Sequence, residues 1–147
     1  MTKAKKGVLW AVAAAALAAG IGLSVFAAVY QSVQFGEDGK TLVKYDPALK
    51  TEIYRVPDGV TTIGNEAFRD CANLTIITIP DGVTTIGDRA FFRCKNLKSI
   101  ALPDSVKKIG KRAFWSCENL EEVSLPRNVE LGRGVFSDCP KVKITYR

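Results

Sequence analysis

Pro80 to Leu102 reads PDGVTTIGDRAFFRCKNLKSIAL, and the same stretch returns, altered, on either side of itself. Pro57, Pro80, Pro103 and Pro126 stand 23 residues apart. The other columns follow: Val60, Val83, Val106 and Val129; Ile63, Ile86, Ile109 and Leu131, each followed by Gly64, Gly87, Gly110 or Gly132. Phe68, Phe91, Phe114 and Phe136 come next, then Cys71, Cys94, Cys117 and Cys139, then Leu74, Leu97, Leu120 and Val142. The last copy lacks one residue between Val129 and Leu131, so its later columns fall 22 on.

A single copy cannot bury its own apolar face, but stacked copies bury one another's, and the interior becomes files of like side chains. With neighbouring strands about 4.8 Å apart, each phenylalanine is expected to lie on the one before it. Leu74 to Ile79 reads as a strand with Ile77 and Ile79 inward, as do Leu97–Leu102 and Leu120–Leu125. Pro-Asp-Gly at 57–59 and 80–82 is turn chemistry. The recurrent glycine marks a position of positive φ or of close backbone approach. Gly64 to Cys71 is too short for a full helix and is expected to form one helical turn on the far side of the coil.

The pattern IPxxVxxIGxxAFxxCxxL resembles the BspA-like leucine-rich repeats of bacterial and protist surface proteins, over Asp38 to Arg147. The resemblance implies a β-rich solenoid of the α/β leucine-rich-repeat class: a short right-handed stack with a parallel sheet on its concave side. It also implies surface or secreted adhesion and interaction proteins. Pro follows the L-x-x-I-x-L segment where other leucine-rich repeats carry an Asn or Cys ladder residue, and the cysteine file on the opposite side is expected to serve instead.

The chain of 147 residues holds one modest domain and an appendage. Lys3, Lys5 and Lys6 precede an uncharged run from Gly7 to Tyr30, about 36 Å long as a helix and sufficient for a hydrocarbon core of about 30 Å. Residues 1–30 read either as a signal peptide cleaved after Val25-Phe26-Ala27 or as an uncleaved transmembrane signal anchor. Both place the repeats outside the cytoplasm, secreted or held at the cell surface, with membrane contact only through that hydrophobic helix. Residues 31–56 are expected to form a linker and a capping coil, with Asp38-Gly39 as a hairpin turn and Thr41–Tyr45 as a strand. Residues 57–147 hold four repeats of about 23 residues and a terminal strand, Val142–Tyr146, flanked by Lys141, Lys143 and Arg147 against edge pairing.

The formal charge is +6, but three of the 21 basic residues are the leading lysines, leaving 18 against 15 acidic ones. That balance gives no one-sided basic surface of the kind nucleic acid requires; Lys107, Lys108, Lys111 and Arg112 form the one local concentration and read as a solvated face. There is no histidine, which removes Ser-His and Cys-His nucleophile pairs and the commonest metal ligand. The four cysteines read as free, buried thiols in a core file, with one vertical disulfide as the alternative, because parallel side-chain vectors suit a bridge poorly. Asp58, Asp81 and Asp104 read as turn formers, without the Asp-x-Asp spacing of a calcium loop. No cofactor, metal or catalytic set is read from the sequence, and the chain is not expected to be an enzyme.

What remains is surface. The residues between the core positions of each strand segment form the candidate binding face: Glu52, Ile53 and Arg55; Thr75, Ile76 and Thr78; Lys98, Ser99 and Ala101; Glu121, Glu122 and Ser124. Ile53 and Ile76 are expected to be vertical neighbours. A second spot is Phe92 with Trp115, one coil apart, each directly after a core phenylalanine. The expected function is a protein- or glycan-binding adhesion module, the alternative a structural envelope or assembly component.

Overall fold

The computed structural model describes residues 32–147. The hydrophobic segment read as signal peptide or anchor lies outside the described residues; within them no helix is long and apolar enough to cross a membrane. Every element from Val33 onward is a strand: β1 (Val33–Phe35), β2 (Thr41–Tyr45), β3 (Ile53–Arg55), β4 (Thr62–Ile63), β5 (Ile76–Thr78), β6 (Thr85–Ile86), β7 (Ser99–Ala101), β8 (Lys108–Ile109), β9 (Glu122–Leu125), β10 (Glu130–Leu131) and β11 (Lys143–Tyr146).

The chain winds as a solenoid with two sheets. Sheet B is five-stranded, in the order β11-β9-β7-β5-β3, and all its pairings are parallel. Sheet A is six-stranded, in the order β1-β2-β4-β6-β8-β10. Its first pairing is an antiparallel hairpin, β1 on β2; the others are parallel. Register follows the repeat: Ile63 faces Ile86, which faces Ile109, which faces Leu131. The sequence pattern marks the strands of sheet B and, in sheet A, β2, but not the two-residue strands β4, β6, β8 and β10. Two residues, Thr-Ile or Lys-Ile, are too few for alternation to register.

The hairpin is built on Asp38 and Gly39. Gly39 has φ 68°, and the Asp38 carboxylate accepts the backbone N–H groups of Lys40 (2.9 Å) and Thr41 (3.2 Å). Those bonds to the charged form, first that from Lys40, hold the Asp38 carboxyl below its usual value. β2 then lies parallel to β4, Leu42 against Ile63.

Inside, like sits on like. Phe68, Phe91 and Phe114 are fully buried. Their rings stack 5.0 and 4.9 Å apart within 5° and 4° of parallel, and Phe136 continues the file at 5.4 Å. Tyr45 and Tyr54 close it at the first coil, 5.2 and 5.9 Å from Phe68. Val60, Val83 and Val106 form a second file, Ile63, Ile86 and Ile109 a third, and Leu74, Leu97 and Leu120 a fourth, all buried. Each such aliphatic side chain contributes about 1.5–3 kcal/mol relative to exposure.

The arc from Gly64 to Cys71 is not a helical turn. Glu66, Phe68 and Asp70 donate their N–H groups to the carbonyls of Asp88, Ala90 and Phe92 in the next coil. A helical turn would have spent those donors on itself. The backbone avoids that by entering the left-handed region twice per coil: at Glu66 and Asp70, Arg89 and Arg93, Arg112 and Ser116, and finally Gly134 and Asp138. The arc is thus a third ladder between coils, bent twice. The recurrent glycine answers to close approach: a Cβ on Gly110 would lie 2.4 Å from Asp88 Oδ1 and 2.5 Å from Asp88 N. Positive φ belongs instead to the Asp-Gly turns, at Gly59 (90°) and Gly82 (104°).

Candidate binding surfaces

Each coil has three sides: a strand of sheet A, the arc, and a strand of sheet B. On sheet B the side chains alternate, so Ile77, Ile100 and Val123 are buried while their neighbours face solvent. The outward residues stand in vertical rows. One row is Ile53, Ile76, Ser99, Glu122 and Lys143, each paired with the next. A second is Glu52, Thr75, Lys98 and Glu121, linked by N–H donation from Thr75 to Glu52 O, Lys98 to Thr75 O and Glu121 to Lys98 O. Arg55 faces Thr78, and Ala101 faces Ser124. Ile53 and Ile76 are 62% and 43% exposed, an apolar spot that no core packing requires. The Thr75 hydroxyl is already committed, donating to Glu52 O at 3.0 Å. Arg55 pairs with Asp58 at 3.3 Å.

Phe92 and Trp115 lie on the arc, a different side of the coil. Their rings stack at 4.7 Å and 17°, half-buried, and the Arg69 guanidinium sits 5.3 Å from the Phe92 centroid. The file is therefore Arg69, Phe92, Trp115, one residue per coil. The structure does not join this spot to the sheet B rows; they are two surfaces.

Around the aromatic file runs a charged network. Glu66 meets Arg69 at 3.1 Å and Arg89 at 3.3 Å; Asp70 meets Arg69 at 3.3 Å and Arg93 at 3.2 Å. The hydrogen bond from Arg69 and the nearby guanidinium charges hold the Glu66 carboxyl below its ordinary value. Two polar ladders complete the side. Asn73, Asn96 and Asn119 donate Nδ2 hydrogens to Leu49 O, Ala72 O and Lys95 O at 3.0, 2.7 and 3.0 Å. Asn65 and Asp88 accept the N–H groups of Asp88 and Lys111, each at 2.8 Å. Sequence reasoning passed over both; the signal was there, as Asn-Leu at 73–74, 96–97 and 119–120.

The four thiols are free and buried. Cys94, Cys117 and Cys139 point Sγ at the carbonyls of Phe68, Phe91 and Phe114 of the preceding coil, at 3.0, 3.1 and 2.9 Å. They are weak donors that satisfy carbonyls a plain apolar side chain would leave bare. Burial pushes the Cys71 thiol up to about 12 and Cys94 well above the ordinary range. Cys71 and Cys94, held protonated in the core, are not nucleophiles, whereas the hydrogen bond with Cys117 holds the Cys139 thiol below its ordinary value, and among the described residues no three His, Cys, Asp or Glu are grouped to hold a metal.

The description "BspA type Leucine rich repeat region" fits residues 47–147, in 6 copies. No curated protein matches the chain. Among solved structures, the pneumococcal vaccine antigen PcpA is similar at 29% identity and TM-score 0.76, covering 80% of this chain and 29% of that one. A leucine-rich repeat protein from Bacteroides capillosus is similar at 30% identity and TM-score 0.63, covering 77% and 92%. A leucine-rich cell surface protein from Faecalibacterium prausnitzii is similar at 27% identity and TM-score 0.57, covering 78% and 37%. The chain thus spans under a third of the pneumococcal antigen and nearly all of the Bacteroides protein.

Proposed function

The chain belongs to the BspA-type leucine-rich repeat family, and from that premise we propose that it is an exported module, secreted or held at the cell surface, that binds a protein or glycan partner. The outward rows of sheet B supply the main face, with the Phe92–Trp115 pair as a second anchor. Proteins of this family are typically surface modules for protein interaction, and two of the similar structures are described as a vaccine antigen and a cell surface protein. The observation that carries the reading is the Ile53–Ile76 pair. Two branched apolar side chains stand in register on a strand face, more exposed than not or nearly so, while their inward neighbours Ile77 and Tyr54 are buried and half-buried. The fold does not need them there, and a partner does. A short stack offers a small face, so tight capture calls for several copies acting together.

A second reading, a structural envelope or assembly component, is favoured by the last coil. Leu131, Ile144 and Tyr146 are 42%, 37% and 51% exposed there, beside the outer edges of β10 and β11. Fractionated cells and amino-terminal sequencing of the mature protein test export: a chain found only in the cytoplasm sinks it. For binding, the full chain and an Ile53→Ser, Ile76→Ser double variant are compared in capture from surface and extracellular proteins. Loss of a captured partner with an unchanged melting curve supports the sheet B face. Equal capture by both removes it.

A further inference from the structure

On the arc and just after it, charges in vertically adjacent coils meet with opposite signs: Glu66 with Arg89, Asp70 with Arg93, Lys95 with Glu118. The C-terminal half of the arc breaks that habit. The Glu66–Arg89 column continues to Arg112, and the column beside it runs Asn65, Asp88, Lys111, Arg133. Arg112 therefore stands over Arg89, and Arg133 over Lys111. Like charges at the spacing of neighbouring strands repel, and Lys111, Arg112 and Arg133 form no ion pair among the described residues. The one carboxylate present, Asp88, has an oxygen engaged with the Lys111 N–H at 2.8 Å. Asp88, Arg89, Lys111, Arg112 and Arg133 line one open groove of about 500 Å³.

We propose that this groove binds a linear polyanionic polysaccharide, a glycan carrying sulfate or carboxylate groups, laid along the stack axis so that successive anions meet successive coils. The fit is chemical. Guanidinium forks bind such groups in pairs of hydrogen bonds, and two of the four cations are arginines in one column. The lining has no aromatic or apolar anchor. That disfavours a protein partner, whose interface core sets aromatic residues beside its arginines and is depleted of lysine. It equally disfavours single-stranded nucleic acid, which stacks its bases on aromatic rings. The site lies on the arc, apart from sheet B, and stands or falls independently of the partner proposed for that face.

The test uses the full-length chain in a non-ionic detergent, passed over immobilised heparin (sulfated), polygalacturonate (carboxylated) and single-stranded DNA, each eluted with salt. Retention on heparin or on polygalacturonate is expected and names the anion. The triple variant Lys111→Gln, Arg112→Gln, Arg133→Gln should bind at least about tenfold more weakly, a loss of about 1.4 kcal/mol. A control with the same net charge, Lys40→Gln, Lys44→Gln, Lys50→Gln, should bind as the parent does. Asp88→Asn keeps the accepting oxygen, as Asn65 does one coil earlier, and removes the negative charge, so it should elute later. A melting curve that matches the parent's shows that the gain does not come from misfolding. The proposal is overturned if neither polysaccharide retains the chain, if the triple and control variants lose affinity equally, if Asp88→Asn elutes no later, or if DNA is held as tightly as the polysaccharides.

Discussion

Phe91→Ala, in the middle of the ring file, is the sharpest probe of how this stack holds together. Phe91 is fully buried between Phe68 at 5.0 Å and Phe114 at 4.9 Å, both nearly parallel to it. Truncating a core phenylalanine costs about 3–5 kcal/mol, and two lost ring contacts, each about 0.5–1.5 kcal/mol beyond area burial, put this site at the upper end. Phe136 ends the same file half-buried, with one ring neighbour at 5.4 Å, so Phe136→Ala should cost about 1–2 kcal/mol. The expected gap of about 3 kcal/mol is large against the roughly 5–15 kcal/mol that hold a domain together. Urea unfolding followed by far-ultraviolet circular dichroism measures both variants beside the parent. A Phe136→Ala shift equal to or larger than that of Phe91→Ala would refute the idea that the rings act as a file rather than as separate buried side chains.

Two further outcomes are expected. Gly110→Ala should cost about 3 kcal/mol, the upper end of overpacking, because the new methyl would meet backbone atoms of Asp88 and Gly87 at 2.5 and 2.6 Å; Gly82→Ala, with open space but φ 104°, should cost about 1–2 kcal/mol, and equal melting shifts would contradict the close-approach account. Cys71 and Cys94 should resist alkylation at neutral pH until urea is added, and stability should respond to alkali in a set direction. Burial lifts the folded pKa of Cys71 to about 12 and raises Cys94, Tyr45 and Tyr54 as well, so between the ordinary thiol value of about 8.5 and those raised values the folded state keeps protons that the unfolded chain has lost. Stability is then flat below about pH 8.5 and falls as pH rises toward 12; a curve that stays level or climbs there would show the thiols to be exposed.

Much of the core was legible because a stack prints its interior as columns. The files of Phe, Ile, Val, Leu and Cys could be drawn from spacing alone, and so could the vertical pairing of Ile53 with Ile76. What stayed hidden has physical reasons. Beyond β1 and β2, sheet A is made of two-residue rungs, below the length at which alternation can be seen. The arc looked helical because Glu66 and Asp70, or Arg89 and Arg93, carry no mark of a left-handed backbone; ladders between coils impose it. The Asn73–Asn96–Asn119 ladder escaped because attention to apolar columns leaves polar ones unread. The vertical rows of sheet B and the Phe92–Trp115 pair could each be drawn from the spacing, but only the path of the coil shows that Phe92 and Trp115 look out on a different side from Ile76 and Ser99.

The antiparallel β1 at one end of sheet A has a consequence for how such a molecule changes length. It turns the chain back across the first rung and closes that end of sheet A to further parallel rungs, so a change of length falls among the coils after β2. Copying or deleting a whole 23-residue unit between Pro57 and Pro126 would preserve every file and both termini, whereas a single-residue slip in mid-stack would break all the files at once.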